Sequence, residues 1–155
     1  MIAVLQRAAS AAVRVQDETV GEIGKGLLIL LGVSGEDTKR DAEVLAAKIL
    51  RCRIFCDEAD KMNLSVSDIG GEALVVSNFT LLANYSHGNR PDYMAAAKPD
   101  VANELYEYFV CLMREGLSHV ATGVFGADMR VLLEGDGPVT IVMDSRVLRA
   151  KEKSK

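Results

Sequence analysis

The sequence predicts a single α/β domain of mixed, layered β-sheet with two main helices. Three observations point there. The chain has 155 residues, the size of one ordinary domain. Short apolar stretches of strand length recur in both halves, separated by turns rich in Gly, Pro and Asn. Only two stretches place apolar residues at helical spacing, and each carries its own start signal.

Residues 1–7 read as an opening strand with Ile2, Val4 and Gln6 on one face. Residues 12–16 alternate again, Val13 and Val15 against Arg14 and Gln16, and Asp17-Glu18 marks a turn into a hairpin partner at 19–23. After the turn Gly24-Lys25-Gly26, the unbroken apolar run from 27 to 33 predicts a strand buried on both faces. Thr38 and Asp41 match a capping-box pattern, and Ala42, Leu45, Ala46, Ile49 and Leu50 give the helix that follows one apolar stripe. Residues 51–55 read as extended, Gly70-Gly71 as a turn, and 73–76 as another buried strand. Residues 82–99 form a long irregular loop, a length that usually serves function. Pro99 opens and Gly116 closes the second helix, with Val101, Leu105, Tyr108, Phe109 and Leu112 as its expected core stripe. Strands are expected at 119–124, 128–134 and 139–143, with Gly135-Asp136-Gly137-Pro138 turning the chain between the last two. The domain is expected to span 1–145. Residues 146–155, with Arg146, Arg149, Lys151, Lys153 and Lys155, read as a short, flexible basic tail.

Composition excludes several classes. Apolar residues at 49% and charged residues at 26% are globular, not disordered, proportions. No apolar run approaches the roughly 20 residues of a membrane helix, and no basic stretch precedes the first apolar residues as in a signal peptide. A net charge of −4 argues against a general nucleic-acid coat. Three cysteines without metal-site spacing fit buried thiols in a reducing, cytosolic setting. Cys52, Cys56, Cys111, His87 and His119 form no zinc pattern, so no metal is expected. Residues 21–26 lack the Lys-Ser/Thr ending of a phosphate loop and precede a strand. No Gly-x-Ser-x-Gly elbow occurs. His119 begins an apolar strand and reads as a packed or surface residue, whereas His87, in the long loop, is better placed to contact a ligand. Conventional side-chain acid–base catalysis is poorly supported, since a solvated loop histidine is commoner than a catalytic base.

Two segments remain. Ser77-Asn78-Phe79-Thr80 follows the 73–76 strand directly. Hydroxyl residues there commonly cap turns, and the functional alternative is a cleft lined by free amides and a hydroxyl, as in an oxyanion hole. Asp136-Gly137-Pro138-Val139-Thr140, taken alone, is a turn before a strand. Together with the opening Met1-Ile2-Ala3-Val4-Leu5-Gln6-Arg7, Gly24-Lys25-Gly26-Leu27-Leu28, Lys61-Met62-Asn63-Leu64 and Gly88-Asn89-Arg90-Pro91, they change the picture. The chain resembles the D-aminoacyl-tRNA deacylase family from residue 1 to about 143. One position departs: the family usually carries Gln where this chain has Asn78, a shorter amide.

The resemblance implies a barrel-like sheet with the helices on one side, and a small cytosolic homodimer without metal or organic cofactor. It implies hydrolysis of the ester between a D-amino acid, or glycine on a mismatched tRNA, and the 3′ ribose of tRNA. The partner is then the acceptor end of aminoacyl-tRNA, with no membrane and no DNA. Carried over by position, the backbone amides of Phe79 and Thr80 are the oxyanion donors, and Ser77 and Asn78 shape the pocket. The Thr80 side chain ranks below the ribose 2′-hydroxyl as the assisting group, because no base lies beside it in sequence. Gly137-Pro138 is expected to be cis and to act in the partner subunit's pocket as the filter between D and L. Two rivals stand beside this reading. One is a paralogous proofreader of L-aminoacyl-tRNA, which retention of Ser77, Phe79 and Thr80 disfavours. The other is a non-catalytic nucleic-acid-binding module using the basic tail, which Glu152 interrupts.

Overall fold

In the computed structural model, which describes residues 1–152, the elements run β1 (Ile2–Val15), β2 (Glu18–Ile23), β3 (Gly26–Gly32), α1 (Lys39–Leu50), β4 (Phe55–Cys56), β5 (Met62–Leu64), β6 (Glu72–Ser77), α2 (Pro99–Gly116), β7 (Val120–Thr122), β8 (Arg130–Asp144) and α3 (Ser145–Glu152). A short 3₁₀ turn, Phe79–Leu82, follows β6.

β1 organises the sheet. Two separate strands were expected in its place, but residues 8–11 contain no Gly, Pro, Asn or Asp, and burial continues through Ala3, Leu5, Ala8, Ala11 and Val13. Along one side it pairs antiparallel with β8; along the other it pairs first with β3 and then with β2. β6 adds to β3, and β7 to β6, both in parallel. The order β2-β1-β3-β6-β7 then curls on itself, because β2 comes up against β7. Gly21 permits that closure: a Cβ there would sit 2.3 Å from the Thr122 carbonyl oxygen. The result is a nearly closed, barrel-like mixed sheet.

The two faces of the strands feed two cores, as period-2 alternation requires. Ala3, Leu5, Leu27, Ile29 and Leu31 pack outward against Leu45 and Ile49 of α1 and Phe109 and Met113 of α2. Ala8, Val13, Ile23, Leu28, Leu74 and Val76 fill the curl. Burying each large side chain contributes on the order of 1.5–3 kcal/mol. α1 starts as its sequence requires, the Thr38 amide donating to Asp41 Oδ2 at 2.9 Å.

Four further expectations need correction. The cysteines are not buried thiols: Cys52 is half-buried, and Cys56 in β4 and Cys111 in α2 are exposed. The buried stripe of α2 is Ala102, Leu105, Tyr106, Phe109, Val110 and Met113, while Val101 is 47% exposed and Tyr108 and Leu112 are half-buried. The helix is rotated towards Tyr106 because its hydroxyl finds the Val75 carbonyl at 2.8 Å, satisfying the one polar group that the buried phenol carries.

Gly135-Asp136-Gly137-Pro138 does not reverse the chain. β8 is one strand of 15 residues, and both flanks of that segment pair with β1. Gln6 lies opposite Thr140 and Ala8 opposite Gly135, so residues 136–139 face Arg7 alone and bulge out of the ladder.

The chain after Ser145 is helical through Glu152, not frayed; Lys153 and Lys155 lie outside the described residues. Ser145 is fully buried, its hydroxyl donating to Asp41 Oδ1 at 2.8 Å while accepting from the Met1 ammonium at 2.8 Å. Arg149 Nη1 donates to Asp41 Oδ2 at 2.8 Å. Burial alone would push the Asp41 carboxyl up, but the hydrogen bonds from Thr38, Ser145 and Arg149 outweigh it and hold the group at about 2.

Candidate functional site

β6 delivers Ser77 to the sheet's end, where the Asn78 amide makes a last bond to the Leu31 carbonyl at 2.8 Å. The chain then tightens into the 3₁₀ turn, whose first bond runs from the Leu81 amide to the Asn78 carbonyl at 3.3 Å. The amides of Phe79 and Thr80 precede that donor, so the turn offers them no acceptor. Two successive N–H groups with no partner in their own turn are what an oxyanion or carboxylate oxygen needs.

They stand at a cavity of about 810 Å³. Ser77, Asn78, Phe79 and Thr80 form its polar wall, and Leu28, Leu30, Val76, Phe125, Met129 and Val131 its apolar lining. Apolar walls with a few convergent polar groups are typical of a small-molecule site. Phe79 is 56% exposed, and its ring meets Tyr93 edge to face with centroids 5.1 Å apart, so this aromatic pair makes a rim. The Thr80 hydroxyl donates to Asn78 Oδ1. An amide oxygen is no base, so this contact orients the hydroxyl without activating it.

Behind the wall, Tyr106 ties the site together. Its hydroxyl holds the Val75 carbonyl two residues before Ser77, and its ring lies 5.9 Å from that of Phe125, which also lines the cavity. Burial pushes its phenol up to about 12, so it stays neutral. Sequence reasoning did not single it out.

His119 belongs elsewhere: its Nε2 lies 3.1 Å from the Glu22 carbonyl, beside a different cavity of about 710 Å³. His87 lies on the exposed loop and does not line the 810 Å³ cavity. Asp128 is the one carboxylate among the lining residues, and nothing in the sequence marked it. Among the described residues, no three His, Cys, Asp or Glu side chains group to hold a metal ion.

The structure does not bring the two sequence segments together within one chain. Gly137-Pro138, a cis bond, sits exposed on the β8 bulge and is absent from the cavity wall. Arg7 fixes this bulge: Nε donates to the Asp136 carbonyl at 3.0 Å and lies 3.2 Å from Asp136 Oδ2, while Nη1 donates to the Ile54 carbonyl at 2.7 Å. The signal for Arg7 was present as a lone cation closing an apolar strand, but its partner is 129 residues away. Gly137 has φ +136°, which only glycine adopts readily.

The sequence model of a family described as D-Tyr-tRNA(Tyr) deacylase matches residues 4–144. A D-aminoacyl-tRNA deacylase of Chloroflexus aurantiacus is 53% identical over 154 residues, covering 99% of this chain and 96% of the relative. One from Haemophilus influenzae is 55% identical over 140 residues, covering 90% and 96%. Among solved structures, the c-Myc DNA unwinding element binding protein superposes with a TM-score of 0.89 at 40% identity, covering 93% of this chain and 98% of that one. A probable eukaryotic D-amino acid tRNA deacylase shares the fold, with a TM-score of 0.82 at 17% identity and coverage of 92% and 98%.

Proposed function

The chain belongs to the D-Tyr-tRNA(Tyr) deacylase family, and from that premise we propose that it hydrolyses the ester joining a D-amino acid, or mischarged glycine, to the 3′ ribose of tRNA. Water adds to the ester carbonyl, the carbonyl oxygen takes up negative charge, and collapse releases the free amino acid and the ribose 3′-oxygen, which gains a proton. The observation that carries this reading is the pair of leading amides, Phe79 and Thr80, at the cavity wall. They stabilise the oxyanion without reorganising. An aminoacyl ester is already reactive, and the neighbouring ribose 2′-hydroxyl can relay the proton, so positioning carries the rest. Thr80 is not the nucleophile on this reading, since its hydroxyl is turned to an amide oxygen.

Ser77 and Asn78 shape the pocket, and Gly137-Pro138 works in trans. Two features support a homodimer with a shared site. β8 is an edge strand bearing Val131, Leu132 and Leu133 at 41%, 40% and 38% exposure, with Val142 at 68%. Such an edge calls for cover. The exposed Gly137-Pro138 bulge also takes no part in its own chain's cavity wall. A backbone filter suits chirality, since it is the same whatever side chain the substrate carries. A net charge of −4 is compatible with gripping only a single-stranded end. No helix among the described residues is long and apolar enough to cross a membrane. The aminoacyl-tRNA substrate of this reading places the enzyme in the cytoplasm.

Deacylation of D-Tyr-, L-Tyr- and Gly-charged tRNA tests the assignment. Rapid release of D-Tyr and Gly with L-Tyr spared is expected. Preferential release of L-Tyr would move the chain to the rival proofreader, and release of none would leave a binding module.

A further inference from the structure

The loop between the 3₁₀ turn and α2 is built as an arm. Its neck is closed by three contacts between Asn84 and Asp92: the Asn84 amide to the Asp92 carbonyl at 2.8 Å, the reverse bond at 2.9 Å, and Asn84 Nδ2 to Asp92 Oδ2 at 3.1 Å. Asn84 Oδ1 also accepts from the Ser86 amide and hydroxyl, which fixes the first residues of the tip. Every residue from Tyr85 to Pro91 is exposed, Tyr85 at 79%. The tip carries no carboxylate between Tyr85 and Pro91; Arg90 is its one formal charge. Among the described residues, Arg90 makes no ion pair or hydrogen bond, and neither the Tyr85 hydroxyl nor His87 has a partner. Immediately past the neck, Tyr93 meets Phe79 edge to face at the cavity rim.

A pinned loop that holds an aromatic ring and a free guanidinium in water gains nothing for folding from either group. Both are suited to single-stranded RNA, where unstacked bases lie on aromatic rings and phosphates meet arginine. Resting on the deacylase reading above, we propose that the 84–92 arm is the contact for the unpaired acceptor end of tRNA, with Tyr85 stacking on a base and Arg90 engaging a phosphate. The arm supplies affinity for the RNA, while the amides of Phe79 and Thr80 act on the ester.

The experiment compares two substrates, D-Tyr-tRNA and 3′-D-Tyr-adenosine, which lacks the phosphates and the preceding nucleotides. For Tyr85→Ala, KM on D-Tyr-tRNA should rise about tenfold with kcat unchanged, the usual loss for one stacked base. For Arg90→Ala, KM should rise several-fold, and the slope of log KM against log salt should fall by about 0.7, one single-strand phosphate contact. Neither variant should alter kinetics on D-Tyr-adenosine. Unchanged KM on tRNA for both variants would overturn the proposal. So would equal losses on the two substrates, which would mean that the arm acts only by bracing Tyr93 and Phe79. Binding of uncharged tRNA provides a second readout. If the wild type hydrolyses neither substrate, the deacylase reading fails, and the arm stands only if both variants still weaken that binding; unaltered binding would overturn it.

Discussion

Gly137→Ala probes the β8 bulge, where the fold and the proposed filter meet. The glycine sits at φ +136°, a conformation that L side chains rarely adopt. A Cβ there would lie 2.7 Å from the Val139 amide nitrogen, 2.9 Å from Val139 Cγ2 and 3.4 Å from Arg7 Nη2. The first is a backbone contact, so the bulge itself has to move. Holding alanine in such a region costs on the order of 1–3 kcal/mol. Because residues 136–139 bulge from the ladder and Gly137 is exposed, the core strands on either side need not shift, and the protein should still fold. On the proposed filter, the displaced Gly-Pro backbone would no longer meet the substrate's α-carbon. A misplacement near 1 Å typically costs about a hundredfold in rate. Urea denaturation should show the loss of 1–3 kcal/mol, and deacylation of D-Tyr-tRNA should fall about a hundredfold in kcat/KM or lose its preference for D over L. Wild-type rate and chirality in a Gly137→Ala protein shown to be strained would refute the filter.

Three further outcomes follow from the geometry. Asp41 has its folded pKa lowered from 3.8 to about 2, so its stabilising contribution is complete above about 4 and is lost as pH falls towards 2. That shift is worth about 2 kcal/mol, so acid unfolding of Asp41→Asn should lack this portion of the pH 4-to-2 limb that the wild type shows; superimposable limbs would contradict it. Tyr106→Phe should destabilise by only about 0.5–1.5 kcal/mol, because the Val75 carbonyl keeps the Gly123 amide at 3.2 Å; a loss above about 3 kcal/mol in urea would show that this count of partners is wrong. Thr80→Ala should retain substantial deacylase activity, and collapse to background in a folded protein would restore the side-chain nucleophile.

Local signals made much of this fold legible. The capping pair at Thr38 and Asp41 and the stripe through Leu45 and Ile49 mark α1, and the unbroken apolar runs of β3 and β6 mark buried strands. The segment 77–80 stands out in the sequence only as a turn after a buried strand; its reading as an oxyanion wall comes from the family resemblance. What escaped depends on distant partners. The rotation of α2 depends on Tyr106 meeting Val75, 31 residues away. The bulge looks like a reversal until both its flanks are seen to pair with β1. Ser145 stands in the sequence only as the last residue before a polar tail, yet it is buried because Met1 and Asp41 converge on its hydroxyl. β1 was split in two because Ala8-Ala9-Ser10-Ala11 offers little contrast between its faces.

Backbone amides and the substrate's own ribose are held to do the chemistry, and one substrate tests that directly. D-Tyr-tRNA ending in 2′-deoxyadenosine keeps the 3′ ester that the amides of Phe79 and Thr80 are proposed to hold, and removes the proposed assisting hydroxyl alone. Single-turnover hydrolysis of this substrate should be slower than that of the ribose form by about 10²-fold or more, the lower range for a positioned proton-transfer group. Turnover at the ribose rate would contradict substrate assistance and send the search for a proton-transfer group back to the protein, with Asp128 on the cavity wall the first to replace.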